Sequence, residues 1–185
     1  MDAGRRLFRD KGYDNVSGEE LVAAAGVTRG AMYHHFADKR EVFEAVYREV
    51  LEELDAEVSR AGWAAAEETG EVWPALLAGL DRYLDLCLDP DIAEFSLRQA
   101  PAVLGWERWD AIDREFSVAQ VQGVLELLAQ TGQLDDVPVS PLAELLVGTM
   151  NQAGRLITLS DHPKKTRKEL GPVLLRLIEG VRRQA

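Results

Sequence analysis

A chain of 185 residues that is 46% apolar can pack a core, but a formal net charge of −11 excludes a surface that binds polyanions throughout. One cysteine excludes an intramolecular disulfide framework and suits a reducing cytoplasm. No stretch is long and clean enough to cross a membrane, and "MDAGRRLFRDKG" lacks the apolar core of a secretory signal.

The negative charge belongs to the later part of the chain. Residues 1–48 hold eight Lys/Arg and eight Asp/Glu, leaving thirteen bases against twenty-four acids beyond them. Only the first quarter can approach nucleic acid, and the split suggests two jobs.

In chain order, a first helix is expected over about 2–12, carrying Leu7 and Phe8 and stopping at Gly12. Ser17 followed by Glu20 forms a capping box that opens "GEELVAAA", which ends at Gly26. Thr28 caps a second short helix, "RGAMYHHF", and Asp38 caps a long one from Lys39. That helix carries Val42, Phe43, Val46, Tyr47, Val50, Leu51, Leu54 and Val58 at a 3.6-residue period. Ending near Arg60, it would span roughly 33 Å. Beyond a weak patch, "AAAEETG", helices are expected near 71–88, 91–99, 106–131, 141–160 and 164–184. Pro90, Pro101, the "TGQLDDVPVSP" loop and "DHP" separate them. The expected fold is all-α, with about nine helices. An N-terminal helix-turn-helix three-helix module covers 1–47, and a C-terminal helical bundle covers 48–185.

Two capped short helices around a glycine turn describe a helix-turn-helix. Leu21, Ala25, Val27, Met32 and Phe36 can point inward with Phe8 and Phe43, leaving Arg29, Gly30, Ala31, Tyr33, His34 and His35 displayed. The second helix of such a unit enters the major groove. Arg29 has the fork for guanine O6 and N7, and Gly30 and Ala31 let the backbone come close. Tyr33 and His34 can bond phosphate oxygens, and Lys39 opens the next helix, where amides and ammonium together favour a phosphate. Adjacent helical residues face different ways, so His34 and His35 do not make a metal pair, and no metal or cofactor is expected. Cys87 in "LDLCLD" reads as a buried structural thiol.

"LFRDKGYDNVSGEELVAAAGVTRGAMYHHFADKREVFEAV" resembles the N-terminal pattern of the TetR family of transcriptional regulators over roughly residues 5–47. Its marks are the LF…GY start, the AAGV turn, the YHHF recognition helix and the following lysine. "APAVLGWERWDAIDREF" is similar to a segment of one branch of that family. The resemblance implies a cytoplasmic homodimer that binds double-stranded operator DNA through this module, with Ser17 and Thr28 at the ends of its helices. It also implies release when a small-molecule effector enters the C-terminal domain. Two departures stand out: the family's basic arm would precede Met1, and Glu19 stands where the family often has a neutral or basic residue near phosphate. Glu19 also suits a helix N-terminus electrostatically.

In the acidic part, helices 141–160 and 164–184 carry apolar residues on more than one stripe, which suggests a second buried face in a two-fold four-helix interface. Leu146, Met150, Leu170, Leu174, Leu177 and Val181 are its candidates. Aromatic residues with sparse polar groups make Tyr83, Phe95, Trp106, Trp109, Phe116 and Asn151 candidates for an effector pocket, and they equally suit an ordinary core. An enzyme has little to stand on, because only His162 lies outside the recognition helix and no catalytic set, metal spacing or phosphate loop appears. A helical small-molecule-binding protein without operator recognition is the alternative.

Overall fold

The computed structural model describes residues 1–183, and among them nine helical segments and no strand are present. They are α1 (Asp2–Lys11), α2 (Gly18–Ala25), α3 (Arg29–His35), α4 (Lys39–Thr69), α5 (Trp73–Leu86), α6 (90–104), α7 (106–130), α8 (Val139–Thr158) and α9 (Pro163–Glu179). A single turn of 3-10 helix, Tyr13–Asn15, joins α1 to α2.

Local sequence explains the helix ends. Ser17 accepts a bond from the Glu20 amide while the Glu20 carboxylate takes the Ser17 amide, so both orphan donors are satisfied. Thr28 and Asp38 cap α3 and α4 in the same way, through the amides of Ala31 and Glu41. Gly26 closes α2 in the left-handed conformation at φ 66°, where a side chain would be strained.

Two expected boundaries change. The long helix does not stop near Arg60 but runs on to Thr69, 31 residues in all, because the alanine-rich patch is a good helix former and only the left-handed Gly70 ends it. α6 and α7 each contain a widened π turn, at Ala93–Gln99 and Arg114–Val118. The last expected helix ends at Glu179, short of residue 184, which lies outside the described residues.

The core runs through both modules. Phe43 meets Phe8 at 5.3 Å, Tyr13 at 5.5 Å and Phe95 at 5.9 Å between ring centroids, so one aromatic cluster ties α1 and α4 to α6. Buried Gln99 strengthens the joint: its amide donates to the Phe8 carbonyl at 3.1 Å and its oxygen accepts from the Tyr13 amide at 3.1 Å. Arg40 donates to the Leu104 carbonyl at the other end of α6. The helix-turn-helix module is therefore held to the body by α6 as well as by α4.

Candidate nucleic-acid interface and internal cavities

The turn after Gly26 presents α3 outward. Met32 is buried beneath it and Phe36 half-buried, while Arg29, Gly30, Ala31, Tyr33, His34 and His35 are all exposed. Ala25 and Val27 are exposed too, against the expectation that they face inward; the left-handed residue between them turns the chain away from the core. Tyr33 lies back over α2, where a Cβ on Gly18 would meet its hydroxyl at 2.7 Å. Arg29 sits over the Tyr33 ring at 5.5 Å and within 3.7 Å of Glu19, whose side chain is exposed. Ser17, Glu19, Arg29 and Tyr33 thus share one shallow groove between α2 and α3. Lys11 and, after it, the capping bonds from Ser17 hold the Glu20 carboxyl down to about 2, so this N-terminus keeps its anion far below neutral pH.

Lys39 differs from expectation in one respect. Its ammonium is half-buried, donates to the Tyr13 and Val16 carbonyls at 2.8 Å each, and lies 4.0 Å from the Tyr13 ring centroid. Only its third proton is left for a phosphate.

The six aromatic and polar residues expected to form one pocket do not come together. Phe95 is buried in the cluster around Phe43, Trp106 is 69% exposed, and Phe116 lies beneath Arg48 at 5.7 Å. Tyr83, Trp109 and Asn151 do meet, around a gap of about 10 Å³. A second, larger space among the body helices, partly open to solvent, lies one helical turn farther from the DNA module, with a volume of about 310 Å³. Its wall includes Val58, Trp63, Leu80, Val124, Leu146 and Met150, and its polar points are Ser59 and Gln120. Gln120 donates to the Ser59 hydroxyl at 2.6 Å and to the Asp55 carbonyl at 3.2 Å.

Reading by residue type missed Asp113, the buried acid of the small gap, which accepts from Asn151 at 2.8 Å and from Ser117 at 3.1 Å. A signal for it was available: Asp113 stands four residues after Trp109 on the stripe that also carries Ile112, where a solvated acid would not fall. Burial raises its carboxyl above the ordinary range, against the pull of those two bonds. Cys87 is buried nearby with its thiol pushed up to about 12, in keeping with a structural role.

The dimer candidates also divide. Leu146, Leu174 and, in part, Met150, Leu170 and Val181 face the chain's own core or cavity, and only Leu177 is exposed, at 57%. The outward apolar stripe consists instead of Leu145 and Leu156 on α8, Leu159 just past its end, and Val173 and Leu177 on α9. Both helices are apolar on two sides, and sequence alone does not say which side the remaining helices claim.

A capped helix-turn-helix with its second helix displayed, joined to a hollow helical body, defines the class of helix-turn-helix transcriptional regulators. Residues 1–46 match the model of bacterial regulatory proteins of the tetR family, and residues 73–181 match that of the tetracyclin repressor-like C-terminal domain. The chain belongs to the tetR family of bacterial regulatory proteins. It is 30% identical to the transposon Tn10 TetC protein of Escherichia coli over 80% of this chain and 73% of that one. It is 34% identical to the transcriptional repressor AcnR of Corynebacterium glutamicum over 79% and 73% of the two chains. A TetR-family regulator from Pectobacterium atrosepticum superposes with a TM-score of 0.83 at 28% identity, covering 99% and 92%. RolR bound to resorcinol shares the fold, with a TM-score of 0.70 at 16% identity over 95% and 83%. These relatives and domains are transcriptional regulators, not enzymes. Among the described residues no cluster of metal-ligating side chains is present, and no helix is long and apolar enough to cross a membrane.

Proposed function

We propose that the protein is a cytoplasmic, homodimeric repressor that leaves its operator when a small, largely apolar effector enters the body. The observation that carries this reading is the exposed face of α3, where Arg29, Gly30, Ala31, Tyr33, His34 and His35 stand clear of the core. Arg29 reads a base edge; Tyr33, His34, His35 and the helix-end hydroxyls of Ser17 and Thr28 hold phosphates; Lys39 steadies the module and lends one proton to the backbone. The outward stripe of Leu145, Leu156, Leu159, Val173 and Leu177 supports the dimer, because an apolar face of that extent on two adjacent helices calls for a partner. The cavity of about 310 Å³ supports the effector. RolR shows that a protein of this fold can take a small aromatic molecule.

The test is selection of bound sequences from a random DNA pool. An inverted repeat with half-sites about 34–36 Å apart, or a multiple of that spacing, is the expected product. A folded protein that selects nothing above background supports the alternative, a helical binding protein without operator recognition.

A further inference from the structure

The main cavity and the small gap around Asp113 lie on the same four helices. Leu54 and Val58 are one turn apart on α4, and Tyr83 lies one turn from Leu80 on α5. Ser117 lies one turn from Gln120 on α7, and Asn151 follows Met150 on α8. One turn is about 5 Å, so the floor of the apolar cavity borders the polar gap.

The polar gap has an unusual charge. Asp113 is 9% exposed, and no Lys, Arg or His among the described residues pairs with it. Its two hydrogen bonds come from neutral groups, Asn151 and Ser117. No basic residue lines either space. One further buried polar atom at the gap, the Ser96 hydroxyl, has no hydrogen-bond partner. A buried carboxylate beside an unsatisfied hydroxyl is costly in an isolated protein and is repaid by a ligand whose donors reach both.

We infer that the effector is an apolar or aromatic molecule carrying a basic amine, its body in the main cavity and its ammonium against Asp113. The Ser96 hydroxyl accepts a second ammonium proton, and Tyr83 and Asn151 fix the carboxylate from the side. An anionic ligand is rejected, because its charge would be buried beside Asp113 without a counter-ion. The gap now holds about 10 Å³, so the ammonium enters by widening the space between α6, which carries Ser96, and α7, which carries Asp113. Ser96 lies in the π turn of α6, between Phe95 and the Gln99 that grips α1, so the group that meets the ligand is three residues from the joint to the DNA module. This rests on the effector-responsive reading above.

The experiment uses three probes with one apolar body: 4-phenylbutylamine, 4-phenylbutanol and 4-phenylbutyrate, titrated by calorimetry into the full chain. The amine is expected to bind about tenfold or more tighter than the alcohol, the contribution of a hydrogen bond to a charged group, with the carboxylate weakest. Asp113→Asn is expected to abolish the amine's advantage over the alcohol, bringing the two to similar affinity. If that variant fails to fold, the order of the three probes on the wild-type chain decides alone. Equal binding of all three, or a carboxylate preference, overturns the amine assignment and leaves the effector-responsive reading standing. Amine-selective binding that never lowers affinity for selected DNA upholds the assignment and overturns that reading. No binding by any probe overturns the assignment.

Discussion

Arg29 has two partners in the free protein, the Tyr33 ring and the Glu19 carboxylate, and both leave its guanidinium exposed. On the operator-binding reading proposed above, Arg29 separates from Glu19 and an acid comes close to phosphate. Glu19→Gln is therefore expected to tighten DNA binding several-fold and to steepen its dependence on salt, measured by fluorescence anisotropy across a salt series. Arg29→Ala is expected to cost about 1–3 kcal/mol and to relax preference at one base pair. Equal affinities for both variants and wild type would remove this groove from the interface. Asp113 makes a different prediction. Its carboxyl is raised by burial, so the folded chain holds its proton at pH values where the unfolded chain has released it. Stability thus falls as pH rises from the ordinary carboxylate range through the raised value, and the loss is complete only above that value. Asp113→Asn cannot ionise and is expected to melt higher than wild type at pH 7, with the gap closing as pH falls toward 4. A variant that melts lower at pH 7 would contradict the cost assigned to this carboxylate.

Among the elements, α8 and α9 divide their apolar residues between the body and the outer stripe, and the two halves respond differently to charge. Leu177→Glu puts an acid on the outer stripe and is expected to yield a folded monomer by sedimentation. Leu174→Glu buries an acid at a position 5% exposed and is expected to unfold the body. Splitting of the dimer by Leu174→Glu alone, with the fold intact, would reverse the assignment of faces. The helices themselves were legible because caps and glycines are local: Ser17 with Glu20, Thr28, Asp38 and Gly26 act within four residues of themselves. Face assignment was not, because Leu145 and Leu146 differ only by a rotation of about 100° and the choice depends on helices far away in sequence. The pocket failed for a related reason. Residue type marked aromatic Trp106 and Phe116 as lining, whereas the cavity opens beside Gly123, where a Cβ would meet nothing within 4 Å. The 3.6-residue period finds stripes, and it does not find absences.

At the scale of the molecule, the net negative charge lies in the body, the first quarter is neutral, and α6 joins the two through Gln99 and the Leu104 carbonyl. Gln99 links α1 to the helix whose π turn borders Asp113. Gln99→Leu is expected to leave both DNA binding and probe binding within a few-fold of wild type while reducing the effect of one on the other, because coupling is a free energy between sites and not a property of either. The most direct measurement of the central claim is the affinity of the full chain for its selected DNA, taken with the wild-type protein, Arg29→Ala and Leu177→Glu side by side. The account predicts tight, salt-sensitive binding by the wild-type dimer, a loss of about 1–3 kcal/mol for Arg29→Ala, and loss of tight binding for the Leu177→Glu monomer. Undiminished binding by both variants, each folded, would contradict it.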